Sequence, residues 1–194
     1  MHRPSPTEFI QRMEWLSAEE VSLRAAALRA AARDWQDDVE LAMLCVAAGN
    51  LEEGAIAARA AYRSAPHEPH SAYAFGVTSV AAKSWADAAE AFDRIGASFE
   101  LYGQCRLLLA LALYELSRCE EAERMTHEAL GADDDTYGTL CALRSRCCVA
   151  LGRLDEAANA FDEALVFSPK LTWVRAARAN LPAATQTKIR TVVV

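Results

Sequence analysis

Glycine and proline are scarce in this chain, 8 and 6 among 194 residues, and runs of β-branched residues are scarcer still. Both shortages work against turn-dense all-β folds and leave alanine-rich stretches free to form helices. Long apolar runs are missing as well. A stretch such as Leu107 to Leu113 has seven residues, whereas a membrane-spanning helix needs roughly 18 or more. The opening Met1-His-Arg-Pro-Ser-Pro leads into Glu8, Arg12 and Glu14 with no apolar segment, so no secretory signal is expected. The six cysteines form no C-x-x-C pair, which argues against zinc-ribbon and dithiol redox motifs. There is no glycine-rich phosphate loop, and Ser, His and Asp are not spaced as a nucleophilic triad. A formal charge of −7 argues against a nucleic-acid partner.

Hydrophobic residues make up 53% of the sequence, enough for a substantial core. They are organised by an internal repeat. Leu51-Glu-Glu-Gly54, Trp85-Ala-Asp-Ala88, Cys119-Glu-Glu-Ala122 and Leu154-Asp-Glu-Ala157 align, recurring every 34, 34 and 35 residues. Ala58, Phe92, Thr126 and Phe161 follow four residues after each block, and Ala61, Ile95, Ala129 and Ala164 give a third contact position. A fixed period of this length predicts stacked helical hairpins, each burying its apolar side only against its neighbours. Each hairpin has a first helix A with a small residue where helices must approach closely: Ala42, Gly76, Ala110 and Ser145. Gly49, Lys83, Ser117 and Gly152 fall in the A-to-B turns, and Pro66 and Pro169 at matching repeat ends. In this frame Cys45 and Cys148 share one packing position, Cys119 replaces Leu51, Trp85 and Leu154, and Cys141 is also a packing position. Cysteines placed this way act as small buried hydrophobes and imply a reducing compartment. Phe161 is predicted to be core.

These residues resemble the tetratricopeptide repeat (TPR) family. Ala88 with Phe92 and Ala157 with Phe161 match its A-x-x-x-F step in full, Phe75-Gly76 resembles its L-G step, and the late prolines match. The first-helix aromatic of the family is absent, since Asp38, Ala72, Arg106 and Cys141 stand there, and Arg144 replaces the usual leucine of repeat four. The resemblance implies an all-α, right-handed superhelix of about four TPR hairpins (residues 35–68, 69–102, 103–137 and 138–171). Residues 1–34 form an N-terminal helical cap or degenerate repeat, and residues 172–194 a capping helix with a flexible basic tail. Two capping boxes, Ser5-Pro6-Thr7-Glu8 and Ser17-Ala-Glu-Glu20, open the N-terminal helices. The first carries Phe9, Ile10, Met13, Trp15 and Leu16, and the second is predicted to run to about Arg33. Leu171, Trp173, Val174, Ala177 and Leu181 form a stripe suited to covering the last repeat, with Pro182 ending that helix. Residues 170–194 carry five cations and no acid, leaving −12 on the rest. This tail suits either solvent, the acidic body or an acidic partner.

The resemblance also implies a groove lined by the inner face of the A helices. Its positions here are Val39, Met43 and Val46 in repeat one, and Tyr73, Val77 and Val80 in repeat two. Repeat three supplies Leu107, Leu108, Leu111 and Tyr114, and repeat four Ala142, Arg146 and Val149. Family members that grip a terminal carboxylate use Lys, Asn and Arg at such positions. Val39 and Met43 stand at two of them, and a carboxylate buried without partners is costly, so no carboxylate clamp for acidic chaperone tails is expected. An apolar groove suits a protein or peptide segment with hydrophobic anchors, for which thioether and aromatic surfaces are adaptable partners. Left bare it favours aggregation, so a cover is expected: a client segment, a second copy, or the chain's own first helix or Val-rich tail. The expectation is a non-enzymatic cytoplasmic adaptor or chaperone without cofactor. The small TPR chaperones of type III secretion are similar in length, acidity and N-terminal helix. The alternative is a structural subunit or homodimer joined through Phe9, Ile10, Met13 and Leu16. His67-Glu-Pro-His70 and Asp133-Asp-Asp135 are the remaining metal candidates. Proline interrupts the first and the second lacks a calcium loop's glycine and glutamate, so both are expected to be solvated loops and no metal is expected.

Overall fold

The computed structural model describes residues 8–10, 13–31, 33–128, 133–168 and 181–189. Among these the regular elements are all helical. After a 3-10 turn at Met13–Trp15 come α1 (Ala18–Ala30), α2 (Trp35–Ala47), α3 (Leu51–Ser64), α4 (Pro69–Ala81), α5 (Trp85–Asp93), α6 (Tyr102–Glu115), α7 (Cys119–His127), α8 (Asp134–Ala150), α9 (Leu154–Phe167) and α10 (Ala183–Gln186). The chain divides into two compact units, Met1–Glu100 and Leu101–Val194. The first contains α1 to α5 and the second α6 to α10.

In the first unit α2 pairs with α3 and α4 with α5, while α1 lies on α2 and α4 packs across both α2 and α3. Ser17 opens α1 with a reciprocal capping box: its hydroxyl accepts from the Glu20 amide and the Glu20 carboxylate accepts from the Ser17 amide. This helix stops at Ala30, three residues short of the expected Arg33. The reason is the start of α2. Asp34 is extended and caps the Gln36 and Asp37 amides, each at 2.9 Å, and Arg33 turns to Asp38 at 2.9 Å. The earlier capping box at Ser5 lies largely outside the described residues. At the α4–α5 crossing Gly76 is obligatory, because a Cβ there would stand 2.6 Å from the buried Phe92 ring.

The second unit repeats the scheme, with α6 against α7, α8 against α9, and α8 also packing on α6 and α7. Ser145 is buried at the close approach, and its hydroxyl donates to the Ala157 carbonyl of α9 at 2.7 Å. Repeat four therefore keeps the frame, and the largely buried Arg144 is accommodated by pairing with Glu163. Phe161 is buried with Cys141, Ala142, Ala158 and Leu165. Leu181 and Ile189, either side of α10, join this cluster, and α10 packs on α9. Pro182 precedes α10 and serves as its N-cap. The rest of the proposed capping stripe, Leu171 to Ala177, lies outside the described residues, as do Ala129, Pro169 and the tail beyond Ile189.

All four A-to-B turns share one geometry. Gly49, Lys83, Ser117 and Gly152 have φ of 76, 58, 61 and 76°. The next residue's amide closes back on Cys45, Ser79, Leu113 and Cys148 respectively, at 2.8 to 2.9 Å. This is the Schellman ending of a helix, which requires a left-handed residue. Two repeats supply it with glycine, and two hold a side chain in a conformation that costs roughly 1–2 kcal/mol.

The slot of the missing family aromatic is filled by local pairing. Asp38 and Arg106 are both buried there. Asp38 has Arg33, although burial still raises its carboxyl above the ordinary value. The Arg106 guanidinium lies over Tyr102 at 4.6 Å, 3.6 Å from the Met125 sulfur and 3.9 Å from Glu128.

Candidate functional site

The inner-face residues divide between the units. In the first, Val39 is 0% exposed, Met43 7% and Tyr73 5%. They are core residues as the chain stands, so they drop out of any open surface. Val46, Val77 and Val80 are half-buried. The cover comes from the chain itself. Three helices, α1, α3 and α4, close on α2. Arg24 of α1 pairs with the buried Glu40 of α2 and spreads over Phe9 at 4.7 Å, and Phe9 is buried beneath it. Tyr73 packs at 5.9 Å against Phe99, from the segment after α5, and at 6.3 Å against Phe92. Phe99 lies off the repeat frame, and no periodicity could have singled it out.

In the second unit none of the inner-face positions on α6 is fully buried. Leu107, Leu108, Leu111 and Tyr114 line α6 and are all half-buried. Leu107, Leu111 and Tyr114 stand one helical turn apart, so they share a face. From α8, the exposed Arg146 places its guanidinium 4.4 Å from the Tyr114 ring centre. Ala142 is buried, and Val149 packs against the cluster that includes Leu181 and Ile189.

The other candidates take structural roles. His67 is exposed, but His70 is half-buried at the start of α4, edge-on to Phe99 at 5.0 Å. It is not a solvated loop histidine, and burial pushes its pKa below the usual 6.5. Beside it, Pro66, His67, Pro69 and Arg94 line a hollow of about 250 Å³, where Arg94 is already paired with Glu90 at 2.7 Å. The Asp133 run is not a loop either. Asp133 caps the Thr136 amide at 2.7 Å, and Asp134 and Asp135 lie in the first turn of α8, where helix dipole and carboxylate attract.

The six cysteines are all free, and Cys119 alone is not buried. Burial raises the Cys105 and Cys147 thiols to about 12, and the Cys141 and Cys148 thiols to about 11. They stay protonated near neutrality, as packing residues do. Glu123, Cys148 and Glu156 bring ligand-type atoms within 4.8 Å of one another. Arg153 already sits between the carboxylates, at 2.6 Å from Glu123 and 3.2 Å from Glu156, so the cluster is charge-balanced by a protein cation.

This arrangement of antiparallel helical pairs has known counterparts. The chain superposes on MamA from AMB-1 with a TM-score of 0.70 and 21% identity, covering 84% of this chain and 97% of that one. TTC0263, a TPR protein of Thermus thermophilus, gives 0.65 and 18% identity, covering 90% and 96%. YrrB, a TPR protein with an unusual peptide-binding site, gives 0.64 and 17%, covering 89% and 90%. The fold is that of the TPR proteins. No protein-family model and no curated protein matches the sequence. Among the described residues no helix is long and apolar enough to cross a membrane.

Proposed function

We propose that this protein is a non-enzymatic, cytoplasmic interaction module: a TPR adaptor or chaperone that holds an apolar or amphipathic segment of a partner protein. The observation that carries this reading is the half-exposed row Leu107, Leu108, Leu111 and Tyr114 on α6. Its residues share a helix face, and the described chain does not bury them, whereas Val39 and Tyr73, the counterparts of Leu107, are buried. A peptide-binding site on a protein of the same fold, YrrB, supports the reading. The working division is the four repeats at 35–68, 69–102, 103–137 and 138–171 between N- and C-terminal caps. The narrower version, a secretion chaperone of the type III kind, is supported by size, acidity and helical architecture, which is analogy at the level of fold.

The test is substitution at one half-buried inner-face position of each unit, Leu108 on α6 and Val77 on α4. A partner is isolated by mild purification from the native host and identified by mass spectrometry. Leu108→Glu, and separately Val77→Glu, are then checked for helicity and for binding of that partner. Leu108→Glu should abolish binding with the helical signal intact. Binding unchanged in both folded variants would remove the groove reading.

One observation favours a second reading, a structural subunit or homodimer joined through the N-terminal region. Trp15 is 84% exposed and Leu23 64% exposed, both large and apolar. Phe9, which this reading would place at the interface, is instead buried under Arg24. Sedimentation decides: a dimer that falls to a monomer on substituting Trp15 and Leu23 by Ser would support it, and a monomer at all concentrations would exclude it.

A further inference from the structure

Charge bookkeeping in the second unit isolates one residue. Its described region holds seven cations: Arg106, Arg118, Arg124, Arg144, Arg146, Arg153 and Lys188. Six of them pair with a carboxylate: Glu128, Glu121 (for both Arg118 and Arg124), Glu163, Glu123 and Asp155 take the other ends. Arg146 has no carboxylate among the described residues, in a chain where acids outnumber Lys and Arg by 27 to 20. It lies over the Tyr114 ring instead, at 4.4 Å. A guanidinium stacked on an aromatic face keeps its rim of N–H donors pointing outward in the plane, and stacking removes part of the conformational freedom that an arginine loses on pairing. The ring beneath it belongs to the apolar row of α6. One face therefore offers three things together: aliphatic surface from Leu107 and Leu111, an aromatic platform, and a cation without a carboxylate partner among the described residues.

We infer that this face binds a partner segment in which apolar anchors are accompanied by an acidic side chain, the carboxylate accepting from Arg146 while the anchors cover Leu107, Leu111 and Tyr114. This rests on the interaction-module reading above and specifies the chemistry of the occupant. Electrostatics supplies the argument for this occupant. A basic segment would meet the one cation that the unit leaves uncompensated among its described residues. A purely apolar one would cover Arg146 and strip its water without returning a hydrogen bond, which is unfavourable for a charged group. An acidic residue flanked by apolar ones satisfies both halves of the surface.

The test uses a random-peptide phage library panned on the full chain, with selected peptides synthesised and their affinities measured by fluorescence anisotropy. Selected sequences should share apolar residues around an Asp or Glu. Replacing that acid by its amide should weaken binding about tenfold, in the range of a hydrogen bond to a charged group. Arg146→Gln should erase the difference between acid and amide peptides, and Arg146→Glu should shift preference to Lys-bearing versions of the same peptides. Arg146 is exposed, so both variants should keep the wild-type melting curve. Apolar peptides selected without an acid, or acid peptides indifferent to Arg146→Gln, would overturn the inference and leave the broader reading standing. If no peptide is selected by the wild-type chain or by a variant ending at Ile189, both fail together. Binding that appears only in that shortened variant would make the chain's own tail the occupant and overturn the partner assignment.

Discussion

The two units build their hairpins from the same repeat and treat the inner face differently. Val39, Met43 and Tyr73 in the first are buried, whereas Leu107, Leu111 and Tyr114 in the second are half-exposed. Leu107 shares its repeat position with the buried Val39 and Tyr73, whereas Leu111 and Tyr114 share theirs with the half-buried Val77, Val46 and Val80, so the contrast is confined to the first of these positions and to Met43. Tyr73 is sealed by Phe99 and Phe92, while α1, tied down by Arg24–Glu40 over Phe9, packs on the helix that carries Val39 and Met43. In a solenoid an A helix is sealed or available according to segments outside the repeat.

The largest effect expected is in the second unit's core. Phe161→Ala should lower stability by roughly 3–5 kcal/mol in calorimetry, and hydrogen exchange should show the loss concentrated in α8 and α9, because a repeat array transmits damage mainly to its neighbours. Equal loss of protection in the first unit would mean the two are energetically one body. Next is the matching contact of the first unit. Gly76→Ala forces a methyl to within 2.6 Å of the Phe92 ring and should cost about 1–3 kcal/mol by overpacking, although alanine is the better helix former.

Arg24→Ala tests the cover itself. It leaves the buried Glu40 carboxylate without its partner. A loss of about 1–2 kcal/mol is expected, reduced by the solvent around Arg24. Binding of an apolar dye should rise as Met43 and Val39 become reachable. Arg146→Gln in the second unit should leave both quantities unchanged. Lys83→Gly should gain about 1 kcal/mol by relieving its φ of 58°; a loss would mean the lysine side chain makes an important contact.

The smallest effect is a pH slope. The folded pKa of His70 lies below 6.5 through burial, so on acidification the unfolded chain takes up the proton first. The contribution of His70 is therefore complete above the unfolded pKa near 6.5 and is lost as pH falls through the folded value. The melting temperature should drop more steeply below about pH 6.5 in the wild type than in His70→Asn. Parallel slopes would show that His70 does not titrate out of a buried site.

Much of the fold is legible in the sequence because each signal is local and repeated. The Gly54, Ala88, Ala122 and Ala157 series marks the hairpins, and Gly49, Lys83, Ser117 and Gly152 mark turns that share one left-handed geometry. The end of α1 falls short of its expected place because Asp34 competes as a cap for the following helix. The acidic run at Asp133 reads like a loop until its first carboxylate is seen capping α8. The site is less legible. Val39, Tyr73 and Ala142 share one repeat position and are buried, whereas Leu107 at the same position is half-buried, a difference that the period does not contain. The significance of Arg146 emerges only once the other six cations of its unit have been paired off.

Oxidative side-chain footprinting of the whole chain, read by mass spectrometry, compares the two faces most directly. Methionine and tyrosine react readily when exposed, so Met43 and Tyr73 report on the first unit and Tyr114 on the second. Tyr114 and Leu111 should be modified in the wild-type chain, with Met43 and Tyr73 protected until Arg24→Ala loosens α1. Modification of Met43 and Tyr73 at the rate of Tyr114 in the wild-type chain would contradict it, since both inner faces would then be open in solution.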